Sequence, residues 1–381
     1  MSVATAHSMG TSLAEPDWPR LDAAEVHDAV ARWGLPGAEA HVIWHSPRPL
    51  SAAAIIELGG RRLFIKRHHR SVRSAEELRE EHRFIGHLLT HGAAVSAVLR
   101  TCDGATAVER GEWTYEIQGV GAGTDLYRDA VSWSPFASSA HAFAAGVALA
   151  ALHVSARGYD APDRSAILLV SNDRVIRSAE PLAVIEGLLA LRPALADYFR
   201  GRNWQSEIDA ALAPFHARYL ELRPQLEPLW THNDWHASNL LWTDASHAAT
   251  VRTVLDFGLS DRTTAVYDLA TAIERNTIPW LDIHEGGAGA ADLVRVSALL
   301  RGYHHTRPLG EHERTALLAI LPLVHVGYAL TEIDYFHGTT RSSANADLAY
   351  QAFLLGHCAW FGTAQGRALL DHVRRELQEL P

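Results

Sequence analysis

The chain contains almost no lysine: Lys66 is the only one among 381 residues, and arginine carries the same charge everywhere else. The net charge of −10 argues against general nucleic-acid binding. Only two cysteines are present, Cys102 and Cys358, without metal-ligand spacing, so we expect reduced thiols in a cytoplasmic protein. No signal peptide is visible, and no apolar run reaches membrane-spanning length, so we expect no membrane partner.

The position of the single lysine is informative because arginine serves wherever charge alone matters. Lys66 ends the strand-like run Arg62-Leu-Phe-Ile-Lys66. Its ammonium group is compact, unlike the planar guanidinium of arginine, and such a point charge suits the binding of phosphate groups. The alternative is that its placement is due to chance.

Three polar side chains are predicted to meet at the end of a hairpin. Asp234 and Asn239 lie in Thr231-His-Asn-Asp-Trp-His-Ala-Ser-Asn-Leu-Leu-Trp242, and Asp256 lies in Leu255-Asp-Phe-Gly258. Apolar and β-branched residues after Asn239 and before Asp256 predict two strands. Phosphoryl transfer needs such a cluster, because one carboxylate accepts the proton of a hydroxyl while a second, with an amide oxygen, holds Mg²⁺. Alternatively, these aspartates only cap turns or helices.

His232-Asn-Asp234…Asn239 and Asp256-Phe-Gly258 resemble the catalytic and metal-binding loops of the aminoglycoside phosphotransferase-like kinases. That superfamily includes aminoglycoside and homoserine kinases and bacterial stress-response Ser/Thr kinases. The resemblance implies an α+β, bilobal, protein-kinase-like fold with a small antiparallel-sheet N-lobe and a large helical C-lobe. Asn233 stands where many relatives have glycine, which changes the backbone freedom of the loop but no reacting group.

The resemblance also implies ATP and Mg²⁺ as cofactors. Lys66 would contact the nucleotide phosphates, and Asn239 and Asp256 would hold the metal. Asp234 would act as the catalytic base, and His232 would brace its loop. Ser51 belongs to the segment 46–53 that would cover the nucleotide, although this segment lacks the glycines of a protein-kinase loop.

We predict a mobile N-terminal tail at residues 1–17, a nucleotide-binding N-lobe at 18–118 and a helical C-lobe at 119–381. A helical insertion is expected at about 160–229, where it would wall the acceptor pocket. Helical patterning at 21–33 precedes strand-like runs at 41–44, 54–58, 62–66, 95–99, 106–109 and 113–118. Gly59-Gly60 predicts a hairpin turn.

Glu81 is predicted to face inward from a helix at about 75–91. It lies three residues after Leu78 and four before Ile85, on the apolar stripe of that helix. A buried carboxylate is unfavourable unless it is paired, and Lys66 is the natural partner. Glu77 and Glu80 are the alternatives.

The glycine-rich stretch Gly119-Val-Gly-Ala-Gly123 reads as a linker between lobes. By the resemblance, Glu116 to Gly119 is the hinge whose backbone hydrogen-bonds the adenine. A phosphate-binding loop is not expected there, because no Lys-Ser or Lys-Thr pair follows.

Two further acidic positions have open interpretations. Asp268, in Tyr267-Asp-Leu-Ala270, matches a family position that braces the catalytic loop, or it lies simply in the first turn of a helix. Glu332 and Asp334, with Tyr335 and His337, would hold a cationic substrate or, in the favoured interpretation, form a solvated helix face.

The sequence does not identify the phosphate acceptor. We expect a phosphotransferase that acts on a hydroxyl of a small molecule, such as an amino sugar, an aminoglycoside-like antibiotic or an amino alcohol. The alternatives are a Ser/Thr protein kinase of the stress-response type and, ranked last, a nucleotide-binding regulator without turnover. Oligomeric state cannot be read from the sequence.

Overall fold

The computed structural model describes residues 16–35, 40–130, 133–287 and 289–381. Nearly all of the predicted tail therefore lies outside the described residues. The chain folds into an antiparallel sheet lobe followed by a helical lobe, which confirms the predicted α+β architecture. The domain boundary at residue 118 and the insertion at about 160–229 remain predictions.

A five-stranded antiparallel sheet forms the N-terminal lobe, with strand order β1-β2-β3-β5-β4. Its strands are β1 His41–His45, β2 Ala52–Leu58, β3 Arg61–His69, β4 Ala107–Arg110 and β5 Trp113–Gly119. Gly59 and Gly60, both at positive φ, make the two-residue turn between β2 and β3, as predicted. Helix α1 (Ala23–Arg32) begins at the Asp22 cap, and its buried face packs on the same small core as the sheet.

Helix α2 (Ala75–Thr90) connects the sheet lobe to the helical lobe. Ser74 and Glu77 form a capping box at its start. Phe84, Ile85 and Leu88 belong to the large core of the helical lobe rather than to the small core of the sheet. The helix therefore packs on both lobes, since Ala75 and Leu78 near its start lie against Ala107 of β4.

The strand predicted at 95–99 was wrong. Val95 and Val98 make only isolated bridges, to Val254 and Gln118 respectively. The segment crosses from one lobe to the other and cannot follow one strand along its length.

Two short antiparallel pairs place the catalytic motifs in the helical lobe. Strand β6 (Pro228–Thr231) pairs with β9 (Asp261–Thr264), and β7 (Leu240–Trp242) pairs with β8 (Val251–Val254). The helices of this lobe are α3 Ser139–Ala156, α4 Pro181–Leu191, α5 Pro193–Phe199, α6 Trp204–Leu212, α7 His216–Leu222, α8 Ala265–Thr277, α9 Trp280–His284, α10 Leu293–Thr306, α11 Glu311–Ile320, α12 Val326–Asp334, α13 Ser343–Leu348, α14 His357–Trp360 and α15 Ala364–Glu379.

Two helical stretches are long and apolar enough to cross a membrane by length and composition, contrary to the expectation from sequence. They are Ser139–Ala156 and Glu311–Thr339, and their apolar windows are 56% and 89% buried inside the protein. Such burial is typical of core helices, since an apolar helix surface is covered by neighbouring helices in a packed lobe.

Candidate active site

The loop between β6 and β7 is held in shape by a buried carboxylate. Asp268 Oδ2 accepts the backbone N–H of His232 at 2.8 Å, and Asp268 Oδ1 accepts that of Asn233 at 2.9 Å. The backbone of Asn233 has φ +61°, a left-handed conformation that asparagine tolerates better than most residues. His232 Nε2 lies 2.8 Å from the carbonyl oxygen of Leu255, which ties this loop to the Asp-Phe-Gly turn.

The predicted cluster of Asp234, Asn239 and Asp256 is present in the structure. Asn239 Nδ2 donates to the carboxylate of Asp234 at 3.0 Å and also to its backbone carbonyl at 3.0 Å. Asp256 follows β8 and lines the same cleft. The β7–β8 hairpin therefore brings the three side chains to one end, as the sequence predicted.

Asp234 is paired with Arg275, which the sequence analysis missed. The Arg275 Nη1 atom lies 2.5 Å from Asp234 Oδ1. Burial would raise the pKa of the Asp234 carboxyl, but Arg275, then His236 and His232, hold it well below its ordinary value. Arg275 follows Asp268 by seven residues on α8, two helical turns along the same face, and this spacing was the available signal.

The Lys66–Glu81 ion pair predicted from sequence was wrong. Lys66 Nζ instead binds Asp256 Oδ1 at 3.1 Å, across the cleft between lobes. Glu81 is buried as expected, but its carboxylate accepts a hydrogen bond from Arg164 Nη2 at 2.8 Å. The Arg164 guanidinium therefore compensates the charge of Glu81. A second hydrogen bond, to the carbonyl oxygen of Gly258 at 2.8 Å, holds Arg164 in place.

Glu116 does not lie at the hinge, so the assignment of Glu116 to the adenine-binding hinge was wrong. It sits inside β5, opposite Lys66 on one side and Ala107 on the other. Its carboxylate is bound by His68 at 3.0 Å and His82 at 2.9 Å, so it is an internal structural group. Gly119 ends β5 and donates its N–H to Ala97, and together with Val120 and Gly121 it lines the cleft.

Two adjoining compartments occupy the cleft between the lobes. The larger has a volume of about 640 Å³, within the range of small-molecule sites. Its apolar walls come from the sheet, the segment after β5 and the β7–β8 hairpin: Ile43, Trp44, Ile55, Phe64, Val120, Leu241 and Leu255. The smaller, of about 140 Å³, contains Asp234 and Arg275.

The boundary between the compartments is formed by the predicted reactive groups. Residues that line both are Arg48, Lys66, Asn239 and Asp256. Arg48 was not predicted; it comes from the glycine-free segment 46–53 and donates to the carbonyl of Ala130 at 3.0 Å. Ser51, from the same segment, lines the smaller compartment.

The donor atoms of Asn239 and Asp256 fit a hard divalent cation. Asn239 uses Nδ2 to contact Asp234, which leaves its amide oxygen for a metal. Asp256 accepts from Lys66 and from the N–H of Gly258 through Oδ1 only, which leaves Oδ2. Carboxylate and amide oxygens are the ligands that Mg²⁺ takes from proteins.

The solvated helix face predicted for Glu332 and Asp334 was wrong. Both side chains are buried. Arg192 Nε donates to Asp334 at 2.7 Å, whereas Glu332 faces His325 at 3.7 Å. Burial raises the pKa of Glu332 to about 8.

Comparison with known proteins gave a family and a fold. The model of the phosphotransferase enzyme family (APH) matches residues 51–309. Similar solved structures include an aminoglycoside phosphotransferase from Alicyclobacillus acidocaldarius (17% identity, 95% of this chain and 98% of that one, TM-score 0.52). A microcompartment-associated aminopropanol kinase is also similar (17% identity, 93% of this chain and 100% of that one, TM-score 0.56).

An amicoumacin kinase, solved with AMP-PNP, Ca²⁺ and Ami, covers 94% of each chain at 15% identity, with a TM-score of 0.54. A search of curated protein sequences found no match. At these identities the solved structures establish the fold alone. The family match, in contrast, extends over more than half of the chain and includes both motifs singled out in the sequence.

Proposed function

This chain belongs to the phosphotransferase enzyme family, and on that premise we propose that it transfers the γ-phosphoryl group of ATP to a hydroxyl of a small molecule. The observation that carries the proposal is the convergence of Lys66, Asn239 and Asp256 at the boundary of two compartments, with Asp234 in the smaller one. A nucleotide in the larger compartment would present its terminal phosphate at this boundary.

Each reactive side chain has one role in this mechanism. The acceptor oxygen attacks the γ-phosphorus while Asp234 accepts the hydroxyl proton, and the bond from the γ-phosphorus to the bridging oxygen breaks, leaving ADP. Lys66 and Arg48 neutralise phosphate charge, and Arg275 keeps Asp234 ionised and oriented. His232 and Asp268 fix the loop without touching the acceptor.

Asn239 and Asp256 would hold Mg²⁺, which supplies charge neutralisation at the nucleotide phosphates. The adenine would lie between Ile55, Phe64 and Leu241, beside the backbone of Gly119 to Gly121. These apolar side chains bury a flat ring, and the backbone after β5 offers groups for its polar edge.

A small acceptor is favoured over a protein side chain by the walls beside Asp234. The smaller compartment is bounded by Tyr328 and Arg275 on one side and by Leu169 and Val72 on others. Its volume of about 140 Å³ suits the hydroxyl-bearing end of a metabolite. Amino sugars, aminoglycosides and amino alcohols remain the first acceptor classes to test.

The direct test is ATP consumption with Mg²⁺ against a panel of aminoglycosides, amino sugars, amino alcohols, homoserine and a generic protein substrate. We expect one small-molecule class to stimulate ADP release, with a phosphorylated product formed in equal amount and identified by mass spectrometry. Matched acceptors in which the amine is replaced by hydroxyl or hydrogen distinguish recognition of the amine from recognition of the hydroxyl. Turnover confined to the protein substrate, or binding of ATP without consumption under any condition, would contradict the proposal.

A further inference from the structure

A second group of potential ligand atoms lies behind the candidate active site, in the core of the helical lobe. Glu274 comes from α8, His325 directly precedes α12, and His357 begins α14. All three are buried, and one ligand atom from each lies within 4.8 Å of the other two. None of them is assigned a role in phosphoryl transfer.

Most polar atoms of this group have no hydrogen-bond partner among the residues that the structure describes. Neither oxygen of Glu274, neither nitrogen of His357 and not the Nε2 atom of His325 has a hydrogen bond of acceptable geometry. Buried polar atoms are nearly always paired, because leaving one unpaired costs about 1–3 kcal/mol. Several unpaired atoms directed at one another therefore indicate a missing partner.

The distances suit a single ion as that partner. Glu274 Oε1 lies 3.0 Å from His357 Nδ1 and 3.6 Å from His325 Nδ1. Zinc binds nitrogen and oxygen ligands at about 2.0–2.2 Å in tetrahedral geometry, which separates neighbouring ligand atoms by roughly 3.3–3.5 Å. A point between the three atoms therefore satisfies all three bonds after small side-chain shifts.

Glu332 would supply the outer contact that a metal-bound His325 needs, once a small shift closes the gap to its second nitrogen. His325 directs Nδ1 towards Glu274 and its other nitrogen, Nε2, towards Glu332 Oε2 at 3.7 Å. A histidine that binds a metal through one nitrogen usually donates the other N–H to a carboxylate, which fixes the tautomer and the ring. Trp280 stacks on His357 with ring centres 3.6 Å apart and fixes that ring as well.

We infer that Glu274, His325 and His357 form a structural site for a divalent transition-metal ion of the zinc class, distinct from the nucleotide metal. Two imidazoles and one carboxylate suit zinc and its neighbours far better than Mg²⁺, which prefers oxygen ligands. The ion would join α8, α12 and α14 and so support the helix that carries Arg275. This inference does not depend on the proposed kinase activity.

The sheet lobe contains a similar group that shows what a closed arrangement looks like. Glu116 binds His68 and His82 directly, at 3.0 and 2.9 Å, and also accepts from Gln118 at 2.8 Å. Both of its oxygens are thus used, and no ion is needed there. The group of Glu116, His68 and His82 is therefore a matched control for the group around Glu274.

The test uses the full chain, stripped of metal by a chelator and then incubated with Zn²⁺ or Co²⁺ without nucleotide. After desalting we expect about one ion per chain by elemental mass spectrometry, as for a specific site. With a water as the fourth ligand, the Co²⁺ form should show visible absorption typical of four-coordinate geometry, and the metal should raise Tm. His357→Asn and His325→Asn should lose most of the bound ion, whereas the control His82→Asn should retain it.

Three results would overturn the inference. One is wild-type protein that retains no Zn²⁺ or Co²⁺ and shows no rise in Tm. Another is loss of the ion in Asp256→Asn but not in His357→Asn, which would locate it at the nucleotide site. The third is unchanged metal content in both histidine variants; if these variants unfold, the wild-type stoichiometry, Co²⁺ spectrum and Tm decide the matter.

Discussion

Two aspartates at the candidate active site are each held by one cation, but the two pairs differ in exposure and in what they connect. Asp256 and Lys66 join the two lobes at 3.1 Å, and their side chains are 44% and 14% exposed. Asp234 and Arg275 lie within the helical lobe, and their side chains are 14% and 6% exposed. The Arg275 guanidinium also packs over the rings of Trp133 and Tyr328, at 4.9 and 5.3 Å.

The comparison separates a temporary contact from a permanent one. Lys66 and Asp256 lie where phosphates and Mg²⁺ would bind. Lys66 would exchange the Asp256 carboxylate for a phosphate, and Asp256 would exchange the Lys66 ammonium group for Mg²⁺. Arg275 lines only the smaller compartment and packs against two aromatic rings, so it would keep Asp234 as its counter-ion. The first pair should therefore open when nucleotide binds, while the second should persist through the reaction. The following variants test this division.

The largest effect is expected for Asp234→Asn. The amide cannot accept the hydroxyl proton, so kcat should fall by about 10²–10⁴-fold while nucleotide binding is unchanged. Steady-state kinetics with the best acceptor, together with nucleotide titration, measure the two quantities separately. Asp244→Asn, an aspartate in the exposed turn of the same hairpin, is the matched control. Unchanged turnover in Asp234→Asn would remove this residue from the base role.

Asp256→Asn tests the pair that crosses the cleft and should have the next largest effect. Weaker binding of the Mg²⁺ that would neutralise the transferring phosphoryl group should lower kcat by about 10²–10³-fold. Because the amide oxygen is a weaker ligand than the carboxylate, the variant should require more Mg²⁺ for half-maximal activity. Activity measured over a range of Mg²⁺ concentrations checks this. An unaltered Mg²⁺ requirement would contradict the assignment of Asp256 as a ligand.

The meeting of Asp234, Asn239 and Asp256 was predictable because each stands at a fixed spacing within a short motif. The hairpin that gathers Asp234, Asn239 and Asp256 followed from apolar runs next to them in the chain. Lys66 was identified by its rarity. Such local signals also gave most of the sheet.

Pairings between distant segments were not predictable in the same way. The helical stripe correctly placed Glu81 inside, but it gave no information on which cation would meet it. Arg164 comes from a segment without regular secondary structure, 83 residues later in the chain. In the same way, the pattern of α12 could not show that Glu332 would be covered by His325 from the residue before that helix.

The single lysine allows the temporary pair to be observed without a change in sequence. An amine-reactive reagent should label one side chain, Lys66, and nucleotide with Mg²⁺ at ten times its Kd should slow this labelling by about tenfold. Burial lowers the pKa of Lys66, but Asp256 and other carboxylates raise it overall, so Asp256→Asn should speed labelling of the free protein. Peptide mass spectrometry follows the reaction, and Lys66→Arg is the unlabelled control. Labelling at the same rate with and without nucleotide would place the phosphates elsewhere.

Arg275→Gln tests the permanent pair and should have the smallest effect at neutral pH. An opposite charge within about 4–6 Å lowers a carboxyl pKa by about 1–3, so the variant should raise the pKa of Asp234 by that amount. Asp234 would still be ionised at pH 8, where activity should change little, but the loss of kcat in acid should begin at a higher pH than in the wild type. Arg218→Gln, which breaks an exposed ion pair, should follow the wild-type profile.

The free energy of unfolding should also depend on pH through the pKa of Asp234. The folded-state pKa of Asp234 lies below its unfolded value, so the pair stabilises the protein above the unfolded pKa of about 3.9 and loses this contribution as the pH falls through the folded value. The difference in free energy of unfolding between wild type and Arg275→Gln should therefore be largest near neutral pH and should shrink in acid. Denaturant unfolding over a pH series measures it. A difference that grows in acid would mean that Arg275 acts on another group, because a carboxylate with a lowered pKa loses stabilisation, rather than gaining it, as the pH falls.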